Sequence, residues 1–214
     1  MSEQDANFRF AREAIVEPPA IARARSHALE LGAKPISATV GAQCAVITAA
    51  SHALNIVEIG TGAGVSGLWL LRGSPRATLT TIDKEPEHLG AARQAFADAK
   101  IPPARARFIT GRAAEVLPRM NEASYDIVLV DADPEGVIEY VEHGLRLVRA
   151  GGTVLVPRVL AGGAVADPVR RDPITTAYRT LIQETQESSA VVAALSIVGD
   201  GLLQLCTLPA PSAP

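Results

Sequence analysis

Two acidic residues and a run of small ones are the part of this chain best suited to chemistry. Residues 57–66 read VEIGTGAGVS, with Glu58 two positions before Gly60 and Ser66 two positions after Gly64. Asp83 closes the next apolar run, TLTTID, 25 residues beyond Glu58. A glycine turn after a strand lets the backbone approach a ligand and aims helix N–H groups at an anion. Phosphate is the common anion in such turns, yet a carboxylate at the entrance repels it. The dinucleotide pattern GxGxxG fails as well, since its third glycine falls on Val65. S-adenosylmethionine meets both halves of the requirement. Its amino-acid carboxylate suits the helix end, its ammonium and sulfonium suit nearby acids, and Asp83 can accept from both ribose hydroxyls. Ser66, in a first helical turn, also reads as a cap for free N–H groups.

The elements that must hold these residues alternate along the chain. Residues 55–60, 78–83, 106–111, 125–132 and 152–157 read as strands. Residues 65–73, 85–99, 112–120 and 135–149 read as the helices between and after them. Strand–helix alternation with short connections makes right-handed crossovers and a parallel sheet covered on both faces. The runs 190–198 and 202–208 flank Gly199-Asp200-Gly201 and read as a hairpin, which adds one reversed strand near the sheet edge. The expected fold is therefore α/β, doubly wound, with a mostly parallel seven-stranded sheet. An NAD-binding sheet of this type is all parallel, so the hairpin and Val65 both disfavour an NAD-linked oxidoreductase.

Upstream, residues 8–31 suggest helices interrupted at Pro18-Pro19 and ended by Gly32, and 40–54 suggests another helix. The expected organisation is one domain over 1–208. A helical cap (1–54) precedes the α/β core (55–208), and a proline-rich tail (209–214) has nothing to pack. The 214 residues are 48% hydrophobic with a net charge of −3, which gives no broad attraction for nucleic acid. No apolar run reaches the ~20 residues of a membrane span, and no signal peptide is visible, so a cytoplasmic protein is expected. Cys44 and Cys206 have no metal-ligand spacing and read as reduced thiols. His27, His52, His88 and His143 read as helical surface groups, while Trp69 and Tyr140 read as packing.

Together, VEIGTGAGVSGLWLL, LTTIDKEPEHLGAARQAF, YDIVLVDADPEGVIEY, GGTVLVPRVLAGGAVADP and IVGDGLL resemble the signature segments of class I O-methyltransferases of the caffeoyl-CoA/catechol type, over residues 34–208. The resemblance implies cofactor contacts at Ile36, Glu58, Gly60, Thr61, Gly62, Ser66 and Asp83. It sets Ala113 by the adenine and Asp133 near the methionine end, and it implies a homodimer acting on a small-molecule acceptor. Such enzymes typically hold a divalent metal on the first aspartate of DAD and an Asp-Asn pair after the fifth strand. Here Asp131-Ala132-Asp133 remains, but the pair reads Pro157-Arg158, which supplies no ligand, so use of the metal is not expected. Asp131 becomes the candidate base or acceptor-orienting group, or a helix cap. Arg158 pairs with it and steadies a phenolate or carboxylate acceptor, or else faces solvent. Residues 158–172, with Arg158, Arg170 and Arg171, form the long loop expected to face the acceptor. A protein that binds the cofactor without catalysis, as a sensor or assembly partner, is the alternative from another class.

Overall fold

Alternation of apolar side chains builds the sheet of this computed structural model, which describes residues 3–208. The strands are β1 (Asn55–Ile59), β2 (Thr78–Asp83), β3 (Ala106–Thr110), β4 (Tyr125–Val130), β5 (Val148–Pro157), β6 (Val191–Ser196) and β7 (Leu202–Thr207). In β4, Ile127 and Leu129 enter one core while Val128 and Val130 enter the other; in β5, Leu155 opposes Val154 and Val156. A strand buried on both faces has to sit centrally, and the order β3-β2-β1-β4-β5-β7-β6 places it there.

The helices are α1 (Glu3–Glu13), α2 (Pro19–Glu30), α3 (Ala38–Ala50), α4 (Val65–Gly73), α5 (Pro86–Asp98), α6 (Ala113–Val116), α7 (Val137–Leu147) and α8 (Pro173–Glu187). The first core joins α2, α3, α4 and α5 to one face of the sheet, with Trp69 and Phe96 among its larger side chains. The second joins α7 and α8 to the other face through Val137, Val141, Tyr178 and Leu181. α2 and α3 therefore share the first core with the sheet, while α1 stays exposed. No helix among the described residues is long and apolar enough to cross a membrane. The stretch 209–214, read from sequence as a tail, lies outside the described residues.

β1 through β5 are parallel, and β7 runs antiparallel between β5 and β6. That arrangement is the expected reversed strand. It also returns the β6–β7 connection to the edge where the parallel strands end.

Some boundaries differ from the sequence reading. The helix read over 112–120 is four α residues followed by a 3-10 turn at Leu117–Arg119, because Pro118 has no N–H to continue the ladder. The helix read over 135–149 ends at Leu147. β5 begins at once with Val148, four residues early, with a register shift against β4 between Tyr125 and Ile127. The hairpin arms close at Ser196, leaving 197–201 as the connection. His52 lies past the end of α3 with a left-handed backbone (φ +52°), not in a helix.

Candidate active site

The strand order reverses between β1 and β4, whose outgoing connections lead to β2 on one side and to β5 on the other. A cavity of about 580 Å³ opens there, within the usual size of a small-molecule site. Gly60 makes the crossing possible. Its φ is +93°, and a Cβ on it would stand 2.2 Å from the Asp131 carbonyl oxygen, so only glycine fits between the two strand ends. Gly64 caps α4 with φ +88° and no side-chain partner. The first-turn N–H groups of α4 therefore remain for a ligand's anionic group.

Of the cofactor contacts named from the sequence, Gly60, Thr61, Gly62, Ser66, Asp83, Ala113 and Asp133 all line this cavity. Asp83 is fixed by its neighbours. Its Oδ2 accepts from the Gly62 N–H and its Oδ1 from the Glu85 N–H, each at 2.9 Å. Carboxylate oxygens retain further lone pairs for ribose hydroxyls.

Glu58 and Ile36 are not in the cavity wall. Ile36 packs into the core beside α3, and its neighbours Lys34 and Pro35 line the cavity instead. Glu58 is fully buried beneath the turn, where Ser66 Oγ donates to Oε1 at 2.5 Å and Thr81 Oγ1 donates to Oε2 at 2.6 Å. With the Thr81 proton so used, Thr61 Oγ1 donates to Thr81 across 2.6 Å. Burial pushes the Glu58 carboxyl up to about 8, against the pull of its two hydroxyl donors. Its carboxyl braces the turn through these two hydroxyls rather than facing the cavity.

At the other end, Asp131 follows β4 and Arg158 follows β5. The Arg158 guanidinium donates to Asp131 Oδ1 through Nη2 and to the Lys34 carbonyl through Nη1. The Asp131 side chain is 7% exposed and that of Arg158 32%. Arg158 thus points inward, as one of the two sequence readings had it. Its backbone is left-handed (φ +64°), an uncommon state for a side-chain-bearing residue, and its N–H is held by the Gly201 carbonyl at 2.7 Å. Burial pushes Asp131 up to about 7, with the Arg158 charge pulling it down. Arg170 and Arg171 do not line the cavity. The loop they occupy is held by Arg179, which donates to the carbonyls of Ala164, Val165, Asp167 and Arg170.

His88, Tyr140, Asp200 and Tyr178 also line the cavity, a place the sequence reading did not give them. His88 lies in α5 with Nδ1 3.5 Å from Asp83 Oδ1, close to a strand end after all. Tyr140 packs, yet its hydroxyl also donates to Asp133 at 3.3–3.4 Å. Asp200 sits in the β6–β7 connection and accepts from the Gly162 N–H at 2.9 Å. Tyr178 comes from α8. Only Asp200 had a sequence signal. A hairpin whose second arm runs antiparallel to β5 must turn at the ligand edge, which places GDG there.

A glycine turn, an acid ending the second strand and a reversed strand near the end of the sheet define a Rossmann-like methyltransferase fold. The chain belongs to the O-methyltransferase family, whose profile matches residues 22–207. It is 46% identical over 203 residues to a Mycobacterium avium (strain 104) protein carried under a provisional O-methyltransferase name, covering 94% of this chain and 91% of that one. Among solved structures it resembles the O-methyltransferase TomG of Streptomyces achromogenes, solved with SAM and involved in tomaymycin synthesis. The TM-score is 0.84 at 28% identity, over 98% of this chain and 100% of TomG. A Corynebacterium glutamicum protein matches at TM-score 0.89 and 26% identity, over 99% and 100% of the two chains.

Proposed function

We propose that this protein is an S-adenosylmethionine-dependent O-methyltransferase of a small molecule that works without the family's divalent metal. The observation that carries the second half is the Arg158 guanidinium on Asp131, the one carboxylate left of the family's ligand set. Pro157 offers no ligating side chain, and a guanidinium only donates, so the residues present do not fit a hard cation.

The methyl donor does fit. The uncapped N-terminus of α4 suits its carboxylate, Asp133 its ammonium, and Asp83 its ribose, with Ala113 beside the base. When bound, S-adenosylmethionine supplies an electrophilic methyl group on a sulfonium. In the transfer the acceptor oxygen forms its bond to the methyl carbon as the carbon–sulfur bond breaks, and that electron pair stays on sulfur. The chain's own contribution is chiefly alignment. Asp131 accepts the proton that the acceptor hydroxyl gives up, and Arg158 steadies the charge growing on the acceptor oxygen. The homodimer implied by the family resemblance belongs to the same reading, and sedimentation of the purified protein checks it.

Turnover to S-adenosylhomocysteine is to be measured over a panel of catechols, phenols and carboxylic acids, with added magnesium and with EDTA. Equal rates under both conditions are expected. Activity abolished by EDTA and restored by magnesium would refute metal independence. Tight binding of the donor with no transfer to any acceptor would favour a cofactor-binding sensor.

A further inference from the structure

Tyr178 is a polar side chain of the cavity wall that the alignment and proton transfer above do not use. It is 7% exposed and lines the cavity from α8. None of the described residues hydrogen-bonds its hydroxyl. Fully buried side-chain oxygens among the described residues all have partners, so the Tyr178 oxygen opens into the cavity. A hydroxyl that faces the cavity with no protein partner is free to hydrogen-bond a ligand there. Burial raises its pKa, so the hydroxyl keeps its proton and remains a donor.

The charges that reach Tyr178 come from several segments. They are Arg158 after β5, Asp131 after β4, Asp200 in the β6–β7 connection and Glu135 just before α7. Arg158 and Asp131 answer one another, which leaves Asp200 in the cavity wall and Glu135 outside it. Asp133 also lines the cavity; of the other cations in its wall, Lys84 and Arg112 adjoin Asp83 and Ala113 on the adenosine side, which leaves Lys34. An acceptor carrying its own carboxylate would meet these acids, or would have to draw Arg158 away from Asp131 and strand a buried charge. A neutral or cationic acceptor meets neither obstacle.

We propose that Tyr178 donates the hydrogen bond that seats the acceptor oxygen, and that the acids around it make the site prefer neutral or cationic acceptors to those bearing a carboxylate. This rests on the methyltransferase reading and narrows it.

Matched acceptors test it: phenol, catechol and primary-alcohol scaffolds, each carrying an ethyl, an aminoethyl or a carboxyethyl tail. Methylated product is to be measured with saturating donor. We expect kcat/KM for neutral and cationic members to exceed that of anionic members by at least ~10-fold. Asp200→Asn should narrow that gap. Tyr178→Phe should raise acceptor KM about 10-fold with a smaller change in kcat, and with donor affinity and melting temperature unchanged. Anionic members used as well as neutral ones would overturn the selectivity. An unchanged KM in Tyr178→Phe would overturn the role of the tyrosine. Absence of transfer to every member, with the donor bound, would defeat the enzyme reading and this inference with it.

Discussion

At single residues, the site separates groups that meet ligand from groups that shape the protein beneath it. Glu58 belongs with the second. Its raised pKa means that the folded chain keeps a proton which the unfolded chain has lost, between 4.5 and about 8. Stability must then fall as pH rises through that window, by up to about 1.4 kcal/mol per pH unit. Glu58→Gln removes the titrating group and keeps a hydrogen-bonding amide between Ser66 and Thr81. Urea unfolding of the ligand-free protein over this pH range should show a flatter profile for the variant than for the wild type. Arg158 belongs with the first group. Arg158→Ala should lower kcat/KM roughly 10²-fold while leaving donor affinity intact, measured by initial rates and calorimetry. Unchanged turnover would remove Arg158 from the chemistry. The glycine turn and Asp83 could be read from residue types, and Asp131 and the Pro157-Arg158 pair through the family resemblance. That Glu58 faces inward could not, because spacing fixes a residue's place along a strand but not whether hydroxyls on two other elements, Ser66 and Thr81, will claim it.

Among the elements, what aligns β1 with its neighbours matters more than the length of any one of them. Asp126, at the start of β4, accepts from the Leu54 and Asn55 N–H groups through Oδ2 at 2.8 Å and from Arg149 Nε through Oδ1 at 2.6 Å. Burial raises its pKa, but these donors outweigh it and hold the carboxyl below its ordinary value. Its contribution is therefore present at neutral pH and fades as pH falls through that depressed pKa. Asp126→Ala orphans the two N–H groups that lead into β1 and should cost about 2 kcal/mol, read as a lower urea midpoint at pH 7, with the gap from wild type closing in acid. The strands were legible because their apolar residues alternate or run continuously, which needs no partner to be recognised. Their edges were less so. β5 starts early because Arg149 is drawn to Asp126, a contact between residues 23 apart that local pattern does not carry. The same holds for Tyr178, which nothing in the local sequence of α8 singles out until the sheet brings β4, β5 and the β6–β7 connection around it.

Over the whole molecule, the cavity wall is drawn from both ends of the chain. Ala28, Ala33, Lys34 and Pro35 come from the N-terminal helices and their exit, while Tyr178 and Asp200 come from the last third. Arg158 ties the two together through the Lys34 carbonyl. A ligand filling this space bridges segments that unfolding would separate, so it binds only the folded chain. Donor at 100 times its dissociation constant should then stabilise the protein by about 2.7 kcal/mol. For a chain of this size that is a rise in melting temperature of about 5–10 °C. NAD at the same concentration should give no rise, since Val65 stands where a pyrophosphate's cradle needs its third glycine. In Arg158→Ala the donor should still raise the melting temperature, because its contacts lie on the glycine turn and Asp83. The baseline should nevertheless start lower, with the Arg158 tie to the Lys34 carbonyl lost. A shift with NAD equal to that with S-adenosylmethionine, measured by differential scanning fluorimetry, would show that the cavity does not discriminate by charge and would undo the assignment of the donor site.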